Sequence, residues 1–310
     1  MASVLVSTSS FAVYDTRPLD LLAAAGHEVH LNPHGRRLTP EESRTLLASS
    51  TGLIAGTEEL SRKVLEFAPG LKVISRCGAG MDAVDLDAAA ELGISVFRTS
   101  ESHVDAVAEL ALAGILDVLR HISAADRDLR AGKWQKPMGR LLHGKTVRIV
   151  GFGRTGRRLA QLLQPFSVEI LAVDPKEDRG FASEHGVTYG SLRTVAQRSD
   201  ILTLHLDYSP AVHHLVDRSI MELMPAGAIL VNGARGGLLD EQALAEALRD
   251  KRLAGAYLDV FEEEPYSGVL TEFDNVLLTP HIGSYAVEGR IAMEIEATEN
   301  LIHGLAQASA

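Results

Sequence analysis

Short runs of apolar residues alternate with segments of helical pattern along almost the whole chain. In the first hundred residues, the apolar runs that predict buried strands lie at 4–6, 29–31, 53–55, 73–74 and 94–96. The segments that predict helices lie between them, at 19–25, 40–48, 62–67 and 86–92. Strands and helices that alternate at this spacing predict a parallel sheet with helices on both faces.

The alternation starts again after an apolar stretch at 105–119, which predicts a long helix buried on most sides. Strands of this second series are predicted at 147–150, 170–173, 201–204, 228–231, 256–258 and 276–278. Its helices are predicted at 155–163, 192–196, 218–223 and 241–249, and a last helix is predicted at 288–305. The pattern therefore predicts an α/β protein of two doubly wound parallel-sheet domains.

Composition and charge exclude several classes of function. Hydrophobic residues make up 46% of the 310 residues and charged residues 23%, which is typical of globular proteins. The net charge of −11 disfavours binding to nucleic acid, which needs a basic face. The single cysteine, Cys77, cannot form an internal disulfide, and the uncharged stretch at 1–14 is too short for a membrane helix. We expect a soluble cytoplasmic protein without a nucleic-acid or membrane partner, and no metal site is predicted.

A glycine-rich sequence follows the first strand of the second series and opens a helix. It reads Gly151-Phe152-Gly153-Arg154-Thr155-Gly156, the pattern G-x-G-x-x-G in the context that dinucleotide binding requires. Gly151 allows a tight turn, Gly153 lets the backbone approach a pyrophosphate, and Gly156 lets the helix pack on the strand. The helix N-terminus offers N–H groups to the anion. The sequence thus predicts a nicotinamide or flavin dinucleotide.

Asp174 lies 18 residues beyond Gly156, at the end of the next strand. A carboxylate there accepts hydrogen bonds from the ribose hydroxyls and repels a 2′-phosphate, so we expect NAD rather than NADP. Lys176 and Arg179 follow it and could offer positive charge to a 2′-phosphate, but Asp174 occupies the strand end itself.

Three titratable residues follow later strands of the second series: Arg235, Glu264 and His281. Each taken alone is typical of a surface ion pair or a loop histidine. Because the carboxyl ends of parallel strands meet at one edge of the sheet, we expect the three side chains to line one crevice. Three such residues at strand ends around one crevice are much rarer by chance than one alone, which favours a functional site.

The sequence resembles the D-isomer-specific 2-hydroxyacid dehydrogenases, closest to short D-3-phosphoglycerate dehydrogenases that lack a regulatory domain. The motifs that carry the resemblance are G-x-G-x-x-G at 151–156, Asn232-x-Ala234-Arg235-Gly236-Gly237, Asp259-Val260-Phe261-x-x-Glu264-Pro265 and Pro280-His281-x-Gly283. The segments 76–82 and 107–109 also match. The resemblance spans most of the chain from residue 73 onward, whereas the first 70 residues agree in pattern only.

The resemblance implies a domain organisation. A Rossmann NAD-binding domain at 99–282 would be inserted into a flavodoxin-like substrate-binding domain at 1–98 and 283–310. The apolar helix pattern near 105–119, with Trp134 and Leu141-Leu142 beyond it, also favours a homodimer through the NAD-binding domain.

The resemblance implies a role for each candidate residue. His281 would protonate the substrate carbonyl, Glu264 would keep that histidine charged, and Arg235 would hold the substrate carboxylate. Further residues are implied in cofactor binding: Gly151, Gly153, Arg154, Thr155, Gly156, Asp174, His205, Ala234, Asp259 and Ser284. The loop that holds the substrate carboxylate would consist of Arg76, Cys77, Gly78 and Ala79.

The substrate implied is a small D-2-hydroxy acid and its 2-keto form. The nearest branch of the family, together with Arg76, suggests a second anionic group such as a phosphate or phosphonate. Lys133, Lys136 and Arg140 could contact it, or could be solvated surface charges. One departure from the family pattern is His205-Leu206-Asp207-Tyr208 in place of His-x-Pro-Leu, which leaves contacts to the adenosine open.

Two other functions remain open at this point. The chain could be an NADH-sensing binding protein like the C-terminal-binding-protein corepressors, which share the fold and can keep the three catalytic residues. It could also act on another small anion, such as glyoxylate or glycerate, formate or phosphite. The absence of an obvious disordered tail or added interaction segment favours an enzyme.

Overall fold

The computed structural model describes residues 1–99 and 101–308, and the chain forms two compact units. Unit 1 consists of Met1–His103 and Ser284–Ala310, and unit 2 of Val104–Gly283. Each unit is built on a parallel sheet of its own.

Twelve strands form the two sheets within the described residues. In chain order they are β1 (Ser3–Val6), β2 (Glu28–Leu31), β3 (Gly52–Ala55), β4 (Val73–Arg76), β5 (Ser95–Arg98), β6 (Thr146–Val150), β7 (Glu169–Val173), β8 (Val187–Tyr189), β9 (Ile201–Leu204), β10 (Ala228–Asn232), β11 (Leu253–Leu258) and β12 (Val276–Leu278).

The helices lie between the strands, as the alternating pattern predicts. They are α1 (Arg17–Ala24), α2 (Pro40–Leu47), α3 (Arg62–Leu65), α4 (Leu86–Glu91), α5 (Val104–Arg120), α6 (Ile122–Arg130), α7 (Arg154–Leu163), α8 (Arg179–His185), α9 (Leu192–Ala196), α10 (Arg218–Met221), α11 (Glu241–Arg249) and α12 (Val287–Ala308). Across residues 1–99 and 101–308, none of the helices combines the length and the hydropathy needed to cross a membrane.

Side-chain caps explain where several helices begin. Thr39 accepts a hydrogen bond from the Glu42 backbone, and the Glu42 side chain accepts one from the Thr39 backbone, so that α2 starts with a capping box. The carboxylate of Asp240 accepts from the Ala243 backbone at the start of α11. These side chains satisfy N–H groups that have no partner within the helix.

Unit 1 has the strand order β2-β1-β3-β4-β5, and all of its neighbouring strands are parallel. Successive residues of a strand point to opposite faces, and β1 shows this directly. Val4 and Val6 pack with Leu301 of α12 in one core, whereas Leu5 packs in the core on the other face. This order is the flavodoxin-like one.

Unit 2 has the strand order β12-β11-β10-β9-β6-β7-β8, again with parallel neighbours. Counted from β8, its first six strands have the Rossmann order. The apolar helix α5 contributes Ala108, Ala111 and Ile115 to one of its two cores, where they pack with Val147 and Ile149 of β6. The prediction of two doubly wound α/β domains is therefore confirmed.

Three short elements were missed by the pattern. His121 adopts a left-handed backbone (φ 56°) that ends α5, and α6 follows it on a surface where none of its residues is buried. The helix α8 and the strand β8 lie within 179–189, and β8 has only three residues. Helices that are mostly exposed, such as α6 and α8, and a strand of three residues have little apolar periodicity, which is why none of the three was predicted.

Candidate active site

The glycine-rich turn joins β6 to α7, and sterics explain two of its three glycines. Gly151 has φ 88°, and a Cβ there would lie 2.5 Å from the carbonyl oxygen of His205. A Cβ on Gly156 would overlap the carbonyl oxygen of Gly151. At Gly153 nothing lies within 4 Å of a Cβ position, so the approach to the N-terminus of α7 is open. This is the cradle that a dinucleotide pyrophosphate needs.

Asp174 lies directly beside this turn. Its Oδ2 accepts a hydrogen bond from the Phe152 backbone at 2.7 Å, and its Oδ1 accepts from the Lys176 backbone at 2.8 Å. A carboxylate can accept about four hydrogen bonds, so these two backbone contacts leave acceptor capacity for ribose hydroxyls. Arg154, at the start of α7, is exposed, and Thr155 is half-buried. The residues present therefore fit a dinucleotide.

His205 follows β9 and forms one wall of the turn through its backbone. The ring Nε2 lies 2.8 Å from the hydroxyl oxygen of Thr203, and the ring Nδ1 is buried with no hydrogen-bond partner among the described residues. Burial lowers the pKa of His205 to about 4, so the ring is neutral near pH 7. The ring thus contacts Thr203 of the strand that precedes it, β9. A contact between this ring and the cofactor stays a prediction.

Arg235 is held by a turn that starts at Asn232, the last residue of β10. The buried amide of Asn232 donates to the carbonyl of Arg235 at 2.9 Å and accepts from the Ala234 backbone at 3.1 Å. A Cβ on Gly236 would overlap the backbone of Phe261, so only glycine fits there. Asn232 was identified from the sequence only as part of a motif. That its amide holds the turn carrying Arg235 was not predicted.

Glu264 and His281 form a hydrogen-bonded ion pair. The Nδ1 of His281 lies 2.9 Å from Oε2 of Glu264, and the other oxygen of Glu264 accepts from the Phe261 backbone at 3.1 Å. Burial favours the neutral form of Glu264, but the hydrogen bond and charge of His281, the hydrogen bond from the Phe261 backbone and the charge of Arg235 together outweigh it. The pKa of Glu264 therefore lies below its ordinary value. The sequence-predicted triad is thus brought together within unit 2.

Asp259, which follows β11, contacts the segment that carries the histidine. Its carboxylate accepts hydrogen bonds from the hydroxyl of Thr279 and from the backbones of Ile282 (2.9 Å) and Gly283 (2.7 Å). The residue is 1% exposed, and burial raises the pKa of Asp259 even though these hydrogen bonds oppose the shift. Ala234, which the resemblance also implies in cofactor binding, is buried as well.

The predicted substrate loop and Ser284 belong to unit 1. Arg76 ends β4, and its Nη1 donates to the carbonyl of Cys77. Gly78 has φ 146°, a conformation that favours glycine, and the carbonyl of Ala79 accepts from Arg98 at 3.2 Å. Burial raises the pKa of Cys77 to about 11, so the thiol stays protonated. The guanidinium of Arg76 is thus partly engaged by its own loop.

The fold and this site define an NAD-dependent dehydrogenase, and comparison with known proteins places it in a family. Residues 112–283 match the family described as D-isomer specific 2-hydroxyacid dehydrogenase, NAD binding domain. The chain belongs to this family and is an NAD-dependent 2-hydroxyacid dehydrogenase. The resemblance predicted from the motifs is confirmed.

Relatives support the same family. A glyoxylate reductase from Thermococcus litoralis is 38% identical over 79% of this chain and 77% of its own length. A hydroxypyruvate reductase from Thermotoga maritima is 35% identical over 87% of both chains. A D-3-phosphoglycerate dehydrogenase from Methanocaldococcus jannaschii is 38% identical over 82% of this chain but only 50% of its own length.

Among solved structures, one described as a putative D-isomer specific 2-hydroxyacid dehydrogenase from a Polaromonas species has a TM-score of 0.90. It is 30% identical over 99% of this chain and 97% of its own. Because the named relatives are dehydrogenases and reductases, the alternative of an NADH-sensing binding protein is not favoured.

Proposed function

We propose that this enzyme reduces a short 2-keto acid to the D-2-hydroxy acid, with His281 as the acid that protonates the carbonyl oxygen. The hydrogen bond between His281 Nδ1 and Glu264 Oε2 carries the proposal. Since Nδ1 donates to the carboxylate, Nε2 is the ring nitrogen left to face the substrate. NAD, when bound, supplies the hydride chemistry.

Glu264 acts on the reaction through His281. An ionised carboxylate 2.9 Å from Nδ1 stabilises the imidazolium form of the ring that donates the proton. The lowered pKa of Glu264 supports this role, because the carboxyl group stays ionised in that range. In the reverse direction the neutral ring takes the proton from the hydroxy acid.

Arg235 is proposed to bind the carboxylate and carbonyl oxygens of the substrate. The fork of N–H donors on a guanidinium matches two oxygens of a 2-keto acid. The positive charge of Arg235 is close enough to favour the ionised form of Glu264, which supports a common site. The amide of Asn232 holds the arginine turn in place.

NAD is proposed to lie along the carboxyl ends of the strands of unit 2. Asp174 would accept from the ribose, and the glycine turn would hold the pyrophosphate. The remaining contacts are proposed from the family resemblance: Arg154, Thr155, His205, Ala234, Asp259 and Ser284. In unit 1, the loop of Arg76, Cys77, Gly78 and Ala79 is proposed to hold the substrate carboxylate, which makes 1–98 and 283–310 the substrate-binding domain.

For the substrate we favour glyoxylate or hydroxypyruvate over an acid with a second anion. The family resemblance implied a phosphate or phosphonate, but Lys133 pairs with Asp128 at 3.2 Å. Relatives of 38% and 35% identity are a glyoxylate reductase and a hydroxypyruvate reductase. A phosphorylated keto acid is the second candidate, because a relative of 38% identity is a D-3-phosphoglycerate dehydrogenase.

The test is NADH consumption with glyoxylate, hydroxypyruvate, pyruvate and 3-phosphohydroxypyruvate, with His281→Ala as the control. We expect the highest kcat/KM for glyoxylate or hydroxypyruvate and loss of turnover in the control. The highest kcat/KM for the phosphorylated acid would select the second candidate. Tight NADH binding without turnover of any 2-keto acid would contradict the proposed reaction.

A homodimer through unit 2 is also proposed. Five large apolar side chains of unit 2 are between 55% and 91% exposed: Ile122, Leu129, Trp134, Met138 and Leu141. Exposed apolar side chains concentrated in one stretch of the chain, residues 122–141, favour an interface that a second copy would cover. Light scattering should give twice the chain mass, and Leu129→Asp should lower it. The cytoplasmic location predicted from the sequence stays part of the same proposal.

A further inference from the structure

The segment from Thr279 to Gly283 carries His281 and is tied down at three points by one carboxylate. Asp259 accepts from the Thr279 hydroxyl ahead of the histidine, and from the backbones of Ile282 and Gly283 after it. The contacts therefore bracket His281 on both sides. We call Thr279–Gly283 the histidine segment.

The backbone of His281 itself is strained. Its φ of 55° lies in the left-handed region, which a residue with a Cβ rarely adopts. Such a conformation persists only where the surroundings hold it in place. Two backbone hydrogen bonds help to hold this segment, from Thr279 to the Leu258 carbonyl and from His281 to the Thr279 carbonyl, each at 3.0 Å. The contacts that lie on both sides of His281 come from Asp259, so this carboxylate is the side chain that braces the strained backbone.

Thr279 connects the segment to a buried tyrosine. The hydroxyl of Tyr257 lies 3.1 Å from the hydroxyl oxygen of Thr279. Because the single hydroxyl proton of Thr279 goes to Asp259, Tyr257 is the donor in this contact. The ring of Tyr257 lies against Gly114 of α5, where a Cβ would overlap it. The chain of donors therefore runs from Tyr257 to Thr279 to Asp259 inside the core.

We propose that Thr279 is a positioning residue for His281. Its hydroxyl bond to Asp259 fixes the histidine segment so that Nδ1 of His281 meets Oε2 of Glu264. The inference rests on the proposed function, in which His281 is the acid. It adds that a residue that does not contact the substrate sets the geometry and the proton affinity of that acid.

The test compares Thr279→Val with Thr279→Ser. Valine keeps the shape of threonine and removes the hydroxyl, whereas serine keeps the hydroxyl. A displacement of about 1 Å at a reacting group costs about 100-fold in rate, so we expect kcat of Thr279→Val to fall about 10- to 100-fold. The kcat values are compared at saturating NADH, because Asp259, which Thr279 contacts, is also a proposed cofactor contact. Thr279→Ser should keep most of the wild-type kcat.

A pH profile separates positioning from general support of the fold. If Thr279→Val loosens the contact between His281 and Glu264, the imidazolium loses part of its stabilising anion. The pH above which reduction fails should therefore move down. Thr146→Val is the matched control, because it removes a hydroxyl that donates to another carboxylate of unit 2, Asp200, at 2.8 Å. We expect this control to lose stability but keep kcat and the pH profile.

Several outcomes would overturn the inference. They are a wild-type kcat and pH profile in Thr279→Val, an equal loss of kcat in Thr146→Val, or a serine variant as slow as the valine one. If Thr279→Val does not fold, Thr279→Ala replaces it, since it also removes the hydroxyl that donates to Asp259, and an unchanged pH profile there contradicts the proposal. Normal turnover in His281→Ala would instead contradict the proposed function itself.

Discussion

The imidazole Nδ1 of His281 lies 2.9 Å from the carboxylate Oε2 of Glu264, although the two residues follow different strands of the sheet. The contact fixes which ring nitrogen carries the donated proton and which is left for chemistry. It also joins two regions of unit 2 that are held separately, Glu264 by the Phe261 backbone and His281 by its bracketed segment. Activity should therefore depend on this single hydrogen bond.

The first prediction concerns the acid and the substrate-binding arginine. We expect His281→Ala and Arg235→Ala each to lower turnover by about 100-fold or more. The first removes general acid–base catalysis, which is worth about 10²–10⁴ in rate, and the second removes the donors that orient the reacting carbonyl. Binding of NADH, measured by fluorescence titration, should stay close to wild type. Turnover near wild type in His281→Ala would rule out the mechanism.

The second prediction concerns the pH dependence of Glu264→Gln. Reduction needs a protonated histidine, and the variant removes the anion that stabilises it. The pH above which reduction fails should therefore move down, and the pH at which oxidation of the hydroxy acid begins should move down with it. Measuring the pH dependence of kcat/KM for reduction and for oxidation checks this, since a change in stability alone would not shift the two pH profiles in the same direction. Unchanged profiles would show that Glu264 does not tune the histidine.

The fold could be predicted from the sequence because buried parallel strands leave a strong apolar signal. Runs such as 228–231 and 201–204 are buried on both faces and bounded by turn residues. Short or exposed elements leave no such signal, and α6 and β8 were missed for that reason.

The catalytic residues Arg235, Glu264 and His281 could be predicted because each lies in a family motif and also follows a predicted strand. Their supporting contacts could not. Nothing in the sequence indicates that the amide of Asn232 holds the arginine turn or that Thr279 donates to Asp259. These contacts depend on which side chains the turns bring together, and that requires coordinates.

The third prediction concerns cofactor choice. Asp174 lies beside the glycine turn with acceptor capacity left, and its negative charge opposes a 2′-phosphate. We expect kcat/KM with NADH to exceed that with NADPH, and Asp174→Asn to reduce the difference. Lys176→Ala tests the opposing charge: if exposed Lys176 attracts a 2′-phosphate, its removal should widen the preference for NADH. Equal or better efficiency of the wild type with NADPH would contradict the prediction.

The fourth prediction concerns Arg148, a fully buried residue in the middle of β6. Burial lowers the pKa of Arg148 to about 10, and its Nη2 lies 3.8 Å from the half-exposed carboxylate of Glu169. Glu169→Gln should lower the free energy of unfolding by about 1 kcal/mol, because the buried charge loses a carboxylate that is itself half exposed and screened by solvent. Arg148→Met should be neutral or stabilising.

Urea unfolding of the two variants checks the role of this pair. Arg198→Met is the control, because Arg198 also pairs with Glu169 but lies on the surface, so its loss should cost at most about 1 kcal/mol. A Glu169→Gln variant as stable as the wild type would mean that Arg148 does not need the carboxylate.

The last prediction concerns the stability of the fold in mild acid. Burial lowers the pKa of His205 to about 4, whereas an unfolded histidine titrates near 6.5. Below about pH 6.5, therefore, His205 binds a proton in the unfolded chain but not in the folded chain. The free energy of unfolding falls for this reason as the pH falls towards 4. Between pH 7 and pH 5 this one residue should account for a loss of about 2 kcal/mol. His205→Gln removes the titrating group, so the difference in stability between wild type and variant should shift in favour of the variant by that amount. Urea unfolding at the two pH values measures it, and a difference that stays constant would show that His205 is protonated as readily in the folded chain as in the unfolded one.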